Sequence, residues 1–409
     1  MQRLRTRLRA GATAFPPATF ALNFLTGALD SGVTFTRGTT ATFVGSNGFI
    51  QTAAINAPRF DYDPVTLAAK GLLIEEQRTN LLLRSAAFDN ASWSKSGSTV
   101  TANATTSPDG TADADKLVET ATTGQHRASQ AVTVTSGVAY TYSIYAKAAE
   151  RTSIWVRIIG AATFAGCIVD LTNGAITGTT GTSTATNVGN GWYRITVSGT
   201  SDSTTATVYA NLIDGAGANT YTGDGTSGLF VWGAQVEAGA FATSYIPTVA
   251  SQVTRSADVA TMTGTNFSSW YNQSEGTFVA SFQNVVDPAA GGKAVFSTND
   301  GTNNNRVTLL TTTAAAEGRI VVGGVATNPV SRGFTGGSVA KSGIAFAAGS
   351  GAQYTNGVLN SAVTPSAAPT VNRLEIGANL TSSFLNGHIR QIAYYNTRLP
   401  NDTLVSLTA

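Results

Sequence analysis

The chain has 409 residues and a formal net charge of +2, and charged residues make up only 12% of it. This balance excludes a body that binds nucleic acid along its whole surface, because such binding needs a sustained basic surface. Cys167 is the only cysteine, which excludes an intramolecular disulfide and a cysteine-based metal cluster. The length predicts two or three domains, and the abundance of Gly, Thr, Ala and Ser favours β-structure.

The N-terminal residues 1–20 are predicted to form a basic arm. Its arginines alternate with uncharged residues: Arg3, Arg5, Arg7 and Arg9. An extended arm presents these guanidinium groups on one side, which suits an acidic groove on a partner or a nucleic acid. A solvated tail is the alternative. Pro16 and Pro17 interrupt the stretch that follows the arginines, so we do not expect a signal peptide. We also expect no membrane span, because no window of the sequence approaches the roughly 20 apolar residues that a span needs.

Turn signals recur along the rest of the chain. They include Asn47-Gly48, Asn190-Gly191, Asp224-Gly225 and Asn356-Gly357. Such pairs tolerate the positive φ angles of tight hairpin turns. Between them lie segments in which β-branched and aromatic residues alternate with polar ones, such as 153–158 and 207–212. The sequence predicts an all-β chain with two antiparallel β-sandwich (jelly-roll) domains behind a short N-terminal arm and strand region.

Two polar stretches place the domain boundaries, one near residues 83–85 and one after Pro247. Neither is long enough to act as a free tether, so we expect the modules to touch. The predicted divisions are 1–20 for the arm, 21–84 for an N-terminal strand region, 85–250 for a jelly roll, 251–264 for a linker and 265–409 for a second sandwich.

A sheet face in the predicted jelly roll has the composition of a sugar site. Period two places Trp155 with Arg157 on one face of their strand and Tyr209 with Asn211 on one face of theirs, and Tyr145 points away from its apolar neighbours. Aromatic rings suit the apolar side of a pyranose, and amides and guanidinium groups suit its hydroxyls. A solvated outer face or a subunit contact is the alternative.

The other tryptophans are predicted to have structural roles. Trp93, Trp192 and Trp232 lie in strand-like strings and are expected to pack in cores. Trp270-Tyr271 stands beside the second boundary, where it could anchor one module on the other or on a neighbour.

Catalytic and metal-binding patterns are sparse. The two histidines, His126 and His388, lack the spacing of a zinc site, and no cofactor is expected. Glu75 and Glu76 are neighbours on a strand and therefore point to opposite faces, which does not suit a glycosidase pair. The sequence thus predicts that the chain is not an enzyme.

A cluster of carboxylates precedes a predicted strand. It consists of Asp109, Asp113 and Asp115. Hard cations take such oxygen ligands, so the cluster is a candidate for a structural calcium site. A solvated turn is the alternative.

Several segments resemble known families. The stretch 58–64, followed by 71–83 and 88–93, resembles a signature of bacteriophage structural and tail-fibre proteins. Residues 107–117, 142–148, 191–194, 231–237 and 241–247 are similar to jelly rolls of the carbohydrate-binding-module type. Residues 344–347, 353–359, 374–377 and 385–395 resemble a concanavalin-like (laminin-G-like) sandwich.

These resemblances imply a bacteriophage virion protein, a head or tail fibre made in the host cytoplasm. Its N-terminal part would attach to the capsid, portal, adaptor or tail, with the arginines of the arm as docking candidates. Its sandwiches would face host surface polysaccharide, and fibre proteins in general imply a homotrimer. A decoration protein without a ligand and a polysaccharide depolymerase are the alternatives. Membrane insertion and nucleic-acid binding are not expected.

Overall fold

The chain is described by a computed structural model over residues 16–284, 292–312, 315–328 and 331–409. Antiparallel strands dominate it, and the helical segments are short: Phe24–Thr26, Thr265–Ser268 and Asn401–Thr408. The prediction of an all-β chain with antiparallel sandwiches is therefore confirmed. None of the described helices is long and apolar enough to cross a membrane. Arg3, Arg5, Arg7 and Arg9 lie outside the described residues.

The strands fall into three groups along the chain. Those of the N-terminal part are Phe20–Asn23 (β1), Thr34–Thr36 (β2), Ala41–Val44 (β3), Ile50–Ala53 (β4), Phe60–Tyr62 (β5), Ala69–Ile74 (β6) and Arg78–Asn80 (β7). Those of the middle part are Ser94–Ser96 (β8), Ser98–Thr105 (β9), Ala114–Glu119 (β10), Thr123–Gly124 (β11), Arg127–Thr133 (β12), Ala139–Lys147 (β13), Ser153–Ile159 (β14), Thr163–Asp170 (β15), Ile176–Thr180 (β16), Thr182–Asn187 (β17), Trp192–Thr200 (β18), Thr205–Ile213 (β19), Tyr221–Thr222 (β20) and Gly228–Ala238 (β21). Those of the C-terminal part are Val253–Arg255 (β22), Val259–Thr263 (β23), Glu275–Asn284 (β24), Lys293–Asn299 (β25), Arg306–Thr311 (β26), Ala315–Val322 (β27), Val325–Thr327 (β28), Arg332–Gly333 (β29), Ala340–Ala347 (β30), Ser350–Thr355 (β31), Val358–Val363 (β32), Arg373–Ile376 (β33) and Gly387–Tyr395 (β34).

The middle strands form a jelly roll of two sheets. Sheet J1 has the order β17-β18-β13-β21-β10-β9, and sheet J2 has the order β16-β15-β14-β19-β12-β8. One face of each sheet contributes to a shared core that includes Tyr142, Ile154, Ile195 and Val208. Alternation along each strand leaves the opposite faces of J1 and J2 pointing away from this core.

Most of the remaining strands form a second sandwich that combines both ends of the chain, while β3 with β4, β7 with β22, and β11 with β20 form three two-stranded sheets. Sheet S1 has the order β32-β31-β30-β24-β34-β6-β5 with β1 beside β34, and sheet S2 has the order β2-β23-β33-β25-β26-β27-β28 with β29 beside β27. Its core includes Phe24, Leu72, Phe278 and Phe296. The expected N-terminal region of residues 21–84 is thus not a separate layer, because β1, β2 and β6 pair with C-terminal strands and β5 pairs with β6.

The jelly roll is inserted into this sandwich. The chain leaves the sandwich along β7 and returns along β22, and these two strands pair antiparallel with Asn80 opposite Val253. Both connections of the jelly roll therefore run side by side. The exact residues at which each predicted domain begins and ends stay predictions.

The outer face of J1 is covered by the N-terminal strands. Tyr145, Trp192, Trp232 and Tyr245 form a small buried aromatic cluster there, and Ile50 of β4 packs against it. The Thr42 hydroxyl donates a hydrogen bond to the carbonyl oxygen of Tyr245 over a distance of 2.5 Å. J2 has no such cover among the described residues, so its outer face is the one left free for other contacts.

A buried ionic cluster joins the jelly roll to the sandwich. This junction network consists of Glu75 and Asp258 with Arg37, Arg59 and Arg255. Glu75 accepts from Arg59 at 2.7 Å and from Arg255 at 2.5 Å, and Asp258 accepts from Arg37 at 3.1 Å and also contacts Arg59. Ser244, at the end of the jelly roll, donates its backbone N–H to Glu75 at 2.8 Å.

Each charge of the junction network has a partner of opposite sign, with three guanidinium groups around two carboxylates. Burial raises the pKa of Glu75, but the charges of Arg255 and Arg59 and the hydrogen bonds from Ser244 outweigh it and hold that pKa well below its usual value. Charges buried to this degree persist in proteins only when they are paired and hydrogen-bonded. The network therefore fixes the position of the inserted jelly roll.

Candidate functional site

Sheet J2 brings four of the five predicted sugar-binding residues together on its outer face. Trp155 of β14 lies opposite Asn211 of β19, and Arg157 lies opposite Tyr209. On the other side of β19, Asn211 lies opposite Arg127 of β12. We call the set Trp155, Arg157, Tyr209, Asn211 and Arg127 the aromatic-arginine face.

Guanidinium groups and aromatic rings stack against one another on this face. The Cζ atom of Arg157 lies 3.8 Å from the ring centroid of Trp155 and 4.9 Å from that of Tyr209. The Cζ atom of Arg127 lies 4.7 Å from the Tyr209 centroid. Cation–π contacts of this kind contribute about 0.5–2 kcal/mol each, depending on desolvation. The stacking therefore holds both arginines in defined positions.

Neither arginine of the face has a carboxylate partner among the described residues. Both share the Oε1 atom of Gln125, which accepts from Arg127 Nη1 at 2.6 Å and from Arg157 Nη2 at 3.4 Å. The Nε atoms of Arg127 and Arg157 are buried and have no partner in the part of the chain that the structure describes. Burial and the charge of Arg127 lower the pKa of Arg157. Two cations thus stand together without compensation.

Asn211 adds an unpartnered amide to the same face. Its side chain is 0% exposed, and neither its nitrogen nor its oxygen has a hydrogen-bond partner within the described ranges. An unsatisfied buried polar group costs roughly 1–3 kcal/mol. Trp155 and Tyr209 beside it are only partly buried. The face therefore combines accessible aromatic edges with unused donors and acceptors.

The neighbouring strand β15 provides space for Arg157. Gly166 lies opposite Arg157, and a Cβ atom placed on Gly166 would lie 2.9 Å from the Cβ of Arg157. Real Cβ atoms do not approach a neighbour so closely without a shift of the backbone. A glycine at this position therefore permits the observed placement of the arginine.

Tyr145, the fifth predicted residue, does not belong to this site. It lies on J1, is 4% exposed, and packs edge-on against Trp232 with ring centroids 5.4 Å apart. Burial raises the pKa of its hydroxyl. The alternation of the sequence correctly separates the two faces of its strand. It gives no sign that N-terminal strands cover the face that Tyr145 occupies.

The predicted calcium ligands do not converge. Asp115 is buried and accepts backbone N–H groups of Phe88 at 2.6 Å and Asn103 at 3.0 Å. Asp109 instead accepts from the Thr111 N–H at 2.9 Å within its own turn. Within the described ranges, no three or more His, Cys, Asp or Glu side chains lie close enough together to hold a metal ion. Asp113 therefore does not complete a site with Asp109 and Asp115. Asp109 and Asp115 accept backbone N–H groups, while the buried Oδ1 of Asp113 has no partner among the described residues, so the three carboxylates are not brought together as a cation site.

The remaining singled-out side chains have structural positions. Trp93, Trp192 and Trp232 are at most 2% exposed, so their predicted core role is confirmed. Trp270 stacks on Phe20 at 4.4 Å inside the second sandwich and does not bridge the two modules.

The titratable candidates are tied to neighbouring groups. Glu76 pairs with Arg78 at 2.6 Å, while Glu75 points into the junction network. His388 Nε2 lies 2.8 Å from the Asp61 carboxylate. His126 is buried against the backbone carbonyls of Gly97 and Tyr221.

Arg127 and Gln125 escaped the sequence analysis. Arg127 begins a strand whose alternation is visible in the sequence, but its alignment with Asn211 depends on a pairing between segments about 80 residues apart in the chain. Gln125 precedes that strand and carries no periodic signal. Only the folded sheet places the second cation beside the first.

No family model and no curated protein matches the chain. Solved structures similar to it include the CBM40 module of the Ruminococcus gnavus IT-sialidase, bound to α2,3-sialyllactose, with 16% identity, a TM-score of 0.30 and coverage of 34% of this chain and 84% of that one. The Trypanosoma rangeli sialidase has 11% identity, a TM-score of 0.29 and coverage of 72% and 60%. Mouse laminin α1 domains LG4-5 have 9% identity, a TM-score of 0.22 and coverage of 68% and 85%. Carbohydrate-binding-type and laminin-G-type β-sandwiches are thus among the folds that the chain is similar to.

One prediction is corrected by these comparisons. The sequence analysis predicts that the chain is not an enzyme, but its structural neighbours include an enzyme, the Trypanosoma rangeli sialidase. At 11% identity the likeness concerns the fold and transfers no residue role.

Proposed function

We propose that the chain binds a glycan on the aromatic-arginine face of sheet J2. The observation that carries the proposal is the partly exposed Trp155 ring beside two guanidinium groups whose Nε donors have no partner among the described residues, on the jelly-roll face that no other described strand covers. Pyranose rings stack on aromatic faces through their C–H groups, while their hydroxyls require planar donors and acceptors. Both requirements are met within one patch of the sheet.

The biological setting we propose is the surface of a bacteriophage particle. This part rests on the resemblance of residues 58–64, 71–83 and 88–93 to bacteriophage structural and tail-fibre proteins. Glu75 in this stretch anchors the junction network, so the signature would serve to hold the jelly roll rigidly on the sandwich. The N-terminal part would then attach the chain to other virion proteins, and the jelly roll would face the host.

A glycan array followed by calorimetry tests the binding proposal. The wild-type chain is applied to host surface polysaccharides, and each ligand found is titrated against Trp155→Ala. We expect at least a tenfold loss of affinity, which corresponds to about 1.4 kcal/mol. Tyr62→Ala is the matched control, because Tyr62 is a partly buried aromatic residue that belongs to S1 and not to J2. Wild-type chain that binds no glycan, or a ligand bound equally by Trp155→Ala, would contradict the proposal.

The virion setting is tested separately. Density for this chain in a reconstruction of the intact particle is expected at a head or tail fibre, with the jelly roll distal to the attachment point. Particles that contain no copy of the chain would refute this setting and leave the glycan measurement unaffected.

A further inference from the structure

We infer that the glycan recognised by the aromatic-arginine face is acidic, with a sugar carboxylate held between Arg127 and Arg157. The inference rests on the proposed glycan binding and names its ligand class. The positive charge of the face, its free donors and the contrast with the ion-paired Arg151 support this assignment.

Charge compensation elsewhere in the jelly roll shows what the face lacks. Arg151 pairs with Glu119 at 2.5 Å, and Lys116 pairs with Glu150 at 2.8 Å. Arg127 and Arg157 have no acidic group within salt-bridge distance in the described ranges, although Arg157 is 7% exposed. Two neighbouring cations in a partly desolvated patch raise the local positive potential, and an anion is the ligand that neutralises it.

The free donors of the face are of the kind that a carboxylate accepts. The guanidinium fork can donate two parallel hydrogen bonds to one carboxylate, a pairing stronger than neutral hydrogen bonds. The one protein acceptor that Arg127 and Arg157 share is Gln125 Oε1, which leaves the buried Nε–H of each arginine unpaired. Tyr209 stacks with both cations and so fixes their separation.

The Asn211 amide supplies an independent sign of a ligand. It lies between Trp155 and Arg127 in the sheet register, is fully buried, and leaves both of its polar atoms unpartnered in the part of the chain described. A sugar hydroxyl can donate and accept at once, which suits an amide that offers both functions. A carboxylate on the arginines and a hydroxyl at Asn211 would together orient one acidic sugar, with its ring against Trp155.

The test compares acidic glycans with their carboxyl-reduced counterparts. The wild-type chain is applied to an array that holds both neutral and carboxylate-bearing glycans, and every acidic ligand is reduced chemically to the neutral alcohol and titrated again. We expect the ligands to be acidic, with at least a tenfold loss of affinity on reduction and a further weakening as salt is raised.

Variants of Arg157 sharpen the test. Arg157→Gln is expected to bind acidic glycan at least tenfold more weakly than the wild type. The affinity of Arg157→Lys is expected to lie between those of the wild type and Arg157→Gln, because lysine keeps the charge but lacks the guanidinium fork. Arg332→Gln is the matched control, since it removes one positive charge from β29 of the other sandwich. Unchanged circular dichroism and thermal unfolding would exclude a folding defect.

The outcomes separate this inference from the proposed function. Ligands that are all neutral, or reduced ligands that bind as well as the acidic ones, would overturn the inference while glycan binding stands. An Arg157→Gln variant that keeps full affinity for an acidic ligand would also overturn it. No binding to any glycan would overturn the proposed function itself.

Discussion

The junction network and the aromatic-arginine face both contain clustered arginines, but they treat charge in opposite ways. At the junction, Arg37, Arg59 and Arg255 surround the carboxylates of Glu75 and Asp258. On the outer face of J2, Arg127 and Arg157 stack on aromatic rings without an acidic partner among the described residues. The first cluster has its counter-charges within the chain, and the second has none among the described residues, which is why we propose that it binds an acidic ligand.

This difference separates side chains that maintain the fold from side chains available for binding. A buried cation with its carboxylate in place contributes position and rigidity, and breaking the pair costs several kcal/mol. A stacked cation without a counter-ion contributes little to stability, so its replacement should affect binding more than folding. Mutations of the two clusters should therefore give opposite profiles of stability and affinity.

The largest effect is expected at the junction. Glu75→Gln leaves Arg59 and Arg255 without their shared carboxylate and should lower the free energy of unfolding by roughly 3–5 kcal/mol. Urea denaturation measures this change. Glu317→Gln is the control, because the Glu317–Arg319 pair is partly exposed and should contribute at most about 1 kcal/mol. Equal stability of the two variants would mean that the junction network does not hold the modules.

Acid should weaken the same network. The pKa of Glu75 lies below its unfolded value of about 4.3, so its ionised form stabilises the folded state above that pH. As the pH falls below about 4.3 towards the folded pKa, this contribution is lost. The stability difference between wild type and Glu75→Gln should therefore begin to shrink between about pH 5 and pH 3 and should continue to shrink as the pH approaches the lower pKa of the folded state. A difference that stays constant over this range would contradict the assignment.

A smaller effect is expected beside the candidate site. Gly166→Ala places a methyl group against the Cβ of Arg157 and should cost about 1–3 kcal/mol through overpacking. Since the arginine must move, affinity for the glycan should fall as well. Gly215→Ala is a suitable control, because a Cβ atom there meets nothing within 4 Å. Calorimetric titration and thermal unfolding of both variants would reveal whether Gly166 has this spacing role.

The smallest effect on stability is expected for Arg157→Gln. The variant loses its stacking on Trp155 and Tyr209 but also relieves repulsion from Arg127, so the free energy of unfolding should change by less than about 1 kcal/mol. Thermal unfolding at low and high salt measures this. A large loss of stability would place Arg157 with the structural arginines of the junction.

Local patterns in the sequence predicted much of the fold. Asn190-Gly191 and Asn356-Gly357 both adopt positive φ at each residue, as tight hairpin turns require. The alternation in 153–158 and 207–212 correctly assigned core and outer faces. In the resembling stretch, Gly71 has a φ of +104°, and a Cβ there would lie 2.2 Å from the carbonyl oxygen of Ile389.

The failures concern contacts between distant segments. No local sequence pattern indicates that β6 pairs with β34 or that β1 pairs with β34. The insertion of the jelly roll into the sandwich therefore cannot be predicted from local patterns. The same limit explains why the sequence predicts an open face for Tyr145 and does not predict that Arg127 lies near Arg157. Alternation reports which face a residue occupies, while the covering and the neighbours of that face depend on the whole fold.

The insertion of the jelly roll also sets an order of events during translation. Thr19 donates its N–H to the carbonyl of Tyr394, and its hydroxyl accepts from Asn396, which lies 377 positions later in the chain. At roughly 5–20 residues per second, the first strands wait tens of seconds for these partners. All strands of J1 and J2 emerge within that interval, so the jelly roll can fold on the ribosome while the sandwich around it is still unfinished. The module that carries the aromatic-arginine face is then the first to be completed, and closure of the sandwich by β34 follows it.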